Sequence, residues 1–123
     1  MATRIHSTWL NTRNTRIYCV DLSSFNDDPD GLTREIDAAR AVIEHLPENS
    51  LLVSLDLHST RLTVEIERFL RDITRPVRKM AVLGVPGLRR AWYNVAGRAP
   101  WPPIARFFDD FEKAKDWLAS EGF

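Results

Sequence analysis

Hydrophobic and polar positions follow two different periods along this chain, and each change of period marks a new element. Residues 4–10 and 16–22 read as strands on either side of the polar run "NTRNT", which predicts an antiparallel hairpin. In the second strand Ile17, Cys19 and Asp21 alternate with Tyr18, Val20 and Leu22. After "SSFNDDPDG" the period lengthens, and Leu32, Ile36, Ala39, Ile43 and Leu46 fall on one face of a helix. Asp28 or Asp30 suits its N-cap, Pro29 its first turn, and Pro47 ends it near Leu46. The run "LLVSLDL" (51–57) is almost continuously apolar, as expected of a strand covered on both faces.

A second helix follows, with Leu62, Ile66, Phe69, Leu70 and Ile73 on one stripe and Thr63 placed to cap it. Arg75-Pro76 breaks it, and "VRKMAVLGV" gives the next strand. "PGLRRAWYNVAG" reads as a third helix, opened by Pro86 and closed by Gly97, with Leu88, Ala91 or Trp92, and Val95 inward. The stiff loop "RAPWPP" leads to a last strand, "IARFF". Asp109 and Glu112 form a capping box for a final helix with Phe111, Ala114 and Leu118 facing inward. The order predicts an α/β fold over residues 1–123 as one domain: a five-stranded, mostly parallel sheet with one antiparallel N-terminal strand, and four helices.

Composition narrows the functional classes. A chain of 123 residues buries about two-thirds of its unfolded surface in one core. Seventeen basic and seventeen acidic residues give a net charge of zero, which argues against a general affinity for nucleic acid or an anionic membrane. No apolar run approaches the length of a membrane-spanning helix, and "MATRIHSTWL" lacks the apolar stretch of a secretion signal. The single cysteine, Cys19, has no internal disulfide partner and reads as a small core residue; a cytoplasmic protein is expected.

Three blocks, "LPENSLLVSLDLHSTRLTVEIERFL", "VRKMAVLGVPGLRRAWYNVAGR" and "FFDDFEKAKDWLA", resemble in order a group of small bacterial and archaeal proteins of the STAS-like class. That class is related to the anti-sigma-factor antagonists and has the superhelical fold of CRAL-TRIO lipid-binding domains. The resemblance spans roughly residues 16–120. It implies a non-catalytic, regulatory domain whose partner is another protein or a second copy of the chain. The alternative it implies is a carrier or sensor of a small amphipathic, lipid or anionic ligand bound at the carboxyl ends of the strands. The antagonists carry a phosphorylatable serine in an Asp-Ser-Ser-Gly run at the start of their second helix. Here "TVEI" stands in that place, so weak or absent phosphorylation is expected, with Ser59, Thr60 and Thr63 as the remaining hydroxyls.

In parallel sheets, ligands bind beyond the carboxyl ends of the strands, where helix N-termini converge. That places a candidate rim at "DLSSF", "DLHST" and "GVPGLRR", comprising Asp21, Ser23, Asp56, His58, Ser59, Thr60, Gly84, Gly87 and Arg89. Asp56, His58 and Ser59 do not read as a catalytic triad. Residues 56 and 58 of an extended segment point one way and Ser59 another, and no nucleophile-elbow motif surrounds the serine. Asp21, Asp56 and His58 are too few and scattered to assign a metal, and His6 and His45 read as surface positions. Gly84 and Gly87 with Arg89 and Arg90 suggest an anion-binding turn, but no Walker-type lysine accompanies them. Trp92 and Trp117 fit core or core-edge positions. Trp101, between prolines, is the tryptophan expected to be exposed to a partner, and Arg98 and Arg106 beside it do not make a nucleic-acid patch in a neutral chain. No catalytic residue, cofactor or metal is therefore assigned. A carrier needs an apolar cavity of about 300 Å³ or more, and with large side chains on every helix stripe none is expected.

Overall fold

The computed structural model describes residues 7–85 and 104–120. The predicted third helix, with Gly87, Arg89, Arg90 and Trp92, lies outside them, as do His6, Arg98 and Trp101. Five strands form one sheet in chain order: β1 (Thr8–Thr12), β2 (Thr15–Asp21), β3 (Leu51–Asp56), β4 (Val77–Leu83) and β5 (Ala105–Phe108). The β1–β2 pair is antiparallel and the other three pairs are parallel. Three helices accompany them among the described residues: α1 (Pro29–Ile43), α2 (Val64–Asp72) and α3 (Phe111–Ala119).

The predicted hairpin forms with a tighter turn than its sequence suggests. Arg13 and Asn14 both take positive φ, 49° and 61°, which is what a two-residue hairpin turn of the right twist requires. Thr12 pairs with Thr15, so most of "NTRNT" becomes strand rather than loop.

Tyr18, Val20, Val53, Leu55, Met80 and Val82 turn toward α1 and α2, whose Leu32, Ile36, Ala39, Ile43, Ile66, Phe69 and Leu70 close the larger core. The alternate residues Ile17, Leu52, Ala81 and Leu83 turn to the opposite face and meet Ala114 and Leu118 of α3. A sheet covered on both sides explains why β3 is buried from Leu51 to Leu55 and apolar there except at Ser54.

Two charged residues lie inside this frame. Lys79, 1% exposed, belongs to the α3 face. Its Nζ donates to the carbonyls of Trp117 and Ser120 at 3.1 and 2.9 Å and to Ser120 Oγ at 3.3 Å, so a lysine from β4 closes the carboxyl end of α3. Burial, with Arg78 and Arg106 nearby, holds its pKa below the usual lysine value. Glu35 of α1 is equally buried and accepts from Ser7 N and Oγ at 2.9 and 2.7 Å, tying the approach to β1 onto α1.

The helix starts follow the sequence in two cases and shift in one. Asp28 caps α1, accepting from Gly31 N at 2.9 Å with Pro29 in the first turn, and Thr63 caps α2, accepting from Ile66 N at 3.2 Å. The first helix stops at Ile43, and Leu46 packs on the core from the turn that follows. The cap of α3 is Asp110, which accepts from Glu112 N at 2.8 Å, and not Asp109. Strand β5 runs to Phe108 and leaves Asp109 in the connection. The shift puts Phe111 at the first helical position, 37% exposed, instead of inward with Ala114 and Leu118.

Candidate functional site

Strands β2 and β3 end in the same local structure. In each an aspartate closes the strand, a buried leucine follows, and then a polar residue folds back onto the aspartate. Asp21 Oδ1 accepts from Ser23 N at 3.0 Å and from Ser23 Oγ at 2.5 Å. Asp56 Oδ1 accepts from His58 N at 2.9 Å and lies 2.6 Å from His58 Nδ1. The next residues, Ser24 and Ser59, both turn the chain with positive φ, 61° and 56°. Such aspartate turns compete with continued strand and release the chain toward a helix start.

Backbone bonds lace the two turns together: Leu22 N donates to Asp56 O at 3.0 Å and Ser24 N to His58 O at 2.7 Å. Thr60 is buried rather than on the rim, because its Oγ1 is needed to accept from Phe25 N at 3.0 Å. Asn26 Oδ1 accepts from Arg61 N at 2.7 Å, completing the seam. Of the three hydroxyls considered for phosphorylation, Thr60 is thus buried and bonded, Thr63 is the cap of α2, and Ser59 is exposed.

Gly84 follows β4 with a φ of 84°. A Cβ there would stand 2.8 Å from His58 Cα and 2.9 Å from His58 Cγ. Its missing side chain is therefore used to let β4 leave the sheet against His58, and the rim at this point is a packing contact.

Asp56 and His58 do meet, as side chains on one side of an extended segment, with the pair open to water at 36% and 57% exposure. Ser59 leaves the strand through its positive φ, and no described hydroxyl or thiol bonds to His58 Nε2. Among the described residues the dyad therefore holds no bonded nucleophile, and Cys19, which shares its cleft, makes no hydrogen bond to it.

Two clefts flank these turns. One, of about 260 Å³, is lined by Cys19, Val20, Asp21, Ser54, Asp56, His58, Leu83 and Phe111. It lies on the α3 face, where stepping back two residues from Asp21 and Asp56 gives Cys19 and Ser54, paired in register on β2 and β3. Cys19 is half-buried rather than a core residue, and burial raises its thiol pKa. Alternation within β2 puts Cys19 on the same face as Asp21, but the pairing with Ser54 becomes readable only once the strand register is known.

The other cleft, of about 430 Å³, opens between the starts of α1 and α2 and is lined by Phe25, Asn26, Pro29, Leu32 and Thr60 to Thr63. Its volume exceeds what the filled helix stripes led us to expect. Most of its lining comes from the turns that lead into the two helices, Phe25 and Asn26 on one side and Thr60 to Thr63 on the other. Its lining is half polar and it is open to solvent. Among the described residues no three potential metal ligands converge, and no helix is long and apolar enough to cross a membrane.

The arrangement is that of a known class of fold. A crystal structure of an uncharacterized protein from the DUF3478 family, with a SpoIIAA-like fold, from Shewanella loihica PV-4 superimposes with a TM-score of 0.55, covering 97% of this chain and 99% of that one at 20% identity. The chain thus has the SpoIIAA-like, STAS-type architecture that its sequence blocks resemble. No protein-family model matches the chain, and neither does any curated protein sequence.

Proposed function

We propose that this chain is a non-catalytic regulatory domain that binds another protein at the carboxyl ends of its strands, through the cleft between α1 and α2. One observation carries the reading: Val64, the first residue of α2, is 66% exposed beside that cleft and next to Thr63 in its lining. Beside it the cleft presents Phe25, Pro29, Leu32 and Leu62 among its polar lining residues and is open to solvent, which suits an inserted side chain better than an enclosed lipid chain. The first turns of both helices are acidic, with Asp30 on α1 and Glu65 and Glu67 on α2. The complementary surface is therefore a basic segment carrying an apolar anchor. The Asp56–His58 pair is open to water and, among the described residues, bonds to no hydroxyl or thiol, which favours a binding role over a hydrolytic one.

The experiment is affinity capture from the source cell with wild-type and Val64→Asp protein, followed by titration of the recovered partner. The reading expects one protein held by wild type and at least tenfold weaker on the variant. Equal binding by both, or co-purified lipid in native mass spectrometry, overturns it.

A further inference from the structure

The smaller cleft, on the opposite face of the sheet from α1 and α2, has a chemistry of its own. Asp21 and Asp56 are register partners on neighbouring parallel strands, so their backbones stand only about 4.8 Å apart. In each carboxylate Oδ1 is occupied by the residue two positions on, while Oδ2 receives no donor among the described residues. Two like charges this close repel, and with His58 neutral or protonated the group keeps a net negative charge. Below them lies Ser54, 2% exposed, whose hydroxyl lines the cleft and bonds to no described residue. With no protein partner, this hydroxyl at the floor of the cleft is left to water or to a ligand that donates to it.

We propose that this cleft binds a small primary amine, its ammonium group donating to the free oxygens of Asp21 and Asp56 and to Ser54 Oγ. An ammonium has three donors and no acceptor, which matches three acceptors without donors. A divalent metal fits less well, since it takes four or more ligands and no three potential ligands converge here. Leu83 and the exposed ring of Phe111 supply an apolar wall for the rest of the molecule. The cleft of about 260 Å³ has room for roughly nine water-sized groups, so the ligand carries one short apolar group and no more. This site is independent of the protein-binding cleft between the helix starts.

The test is calorimetric titration of the full chain with 2-phenylethylamine, 2-phenylethanol and phenylacetate. The amine is expected to saturate at one site, with the alcohol and the acid at least tenfold weaker. Asp21→Asn and Asp56→Asn are each expected to weaken the amine at least tenfold, whereas Val64→Asp leaves it unchanged. A second measurement needs no variant: Cys19 lies in the cleft, so saturating amine slows its alkylation by iodoacetamide and phenylacetate does not. Equal binding of the three probes, no saturation, full affinity in both asparagine variants, or unprotected Cys19 each overturns the proposal. None of these outcomes touches the Val64 reading, which is scored on the partner protein.

Discussion

Replacing Gly84 by alanine tests how tightly the carboxyl end of β4 is held against the β3 turn. Two costs add at this position. The backbone sits at a φ of 84°, where a side-chain-bearing residue loses about 1–2 kcal/mol relative to glycine. The new methyl also lands 2.8 Å from His58 Cα, and backbone cannot swing aside as the end of a side chain can, so overpacking adds about 1–3 kcal/mol. A loss of about 2–5 kcal/mol is expected. For a chain of this size that lowers the melting temperature by roughly 10 °C or more. Urea unfolding measures it, with the midpoint shifted and the slope unchanged if only the native state is strained. Gly31→Ala is the control: its new methyl displaces the Asp28 carboxylate that caps α1, costing about 1 kcal/mol, and alanine's helix preference offsets most of that. Its change should stay within about 1 kcal/mol. A Gly84→Ala loss below about 1 kcal/mol would refute the close contact with His58.

Thr63→Ala removes the acceptor for Ile66 N and should cost about 1 kcal/mol in the same unfolding assay. His58→Ala, which removes only an exposed pair, should cost less than that. Burial raises the Tyr18 and Cys19 pKa values, with the Glu35 carboxylate adding to the effect on Tyr18. The folded state thus keeps protons that the unfolded chain releases, so the stabilisation is complete below the unfolded values of 10.0 for Tyr18 and 9.0 for Cys19 and is lost as pH rises through the folded ones. Lys79, shifted downward, works the opposite way over the range below 10.5, so the tyrosine part must be isolated by mutation. Tyr18→Phe should therefore flatten the alkaline fall in stability measured by urea titration between pH 8 and 11, and an unchanged slope would contradict the assigned burial.

The order of elements could be read from the chain because each is written in local periodicity: period two in β2, a helical stripe in α1 and α2, and a nearly continuous apolar run in β3. The Thr63 cap was legible and the α1 cap was narrowed to Asp28 or Asp30, since caps act on amides within three residues of themselves. Local reasoning failed where a neighbouring segment decided the outcome. The α3 cap moved from Asp109 to Asp110 because β5 claims Phe108, and Thr60 left the rim because Phe25 N, far away in sequence, needed an acceptor. Nothing in "VRKMAVL" marks Lys79 as buried, yet α3 covers that face and uses the ammonium to close its own end. The sequence shows "DLSS" and "DLHS" as two similar turns. Only parallel pairing sets Asp21 beside Asp56 and Cys19 beside Ser54, and only the placement of α3 brings Phe111 over them. Strand periodicity says which face a side chain takes, whereas a binding site depends on which strand lies next to it and in what register. That information resides in contacts between segments that no local pattern records.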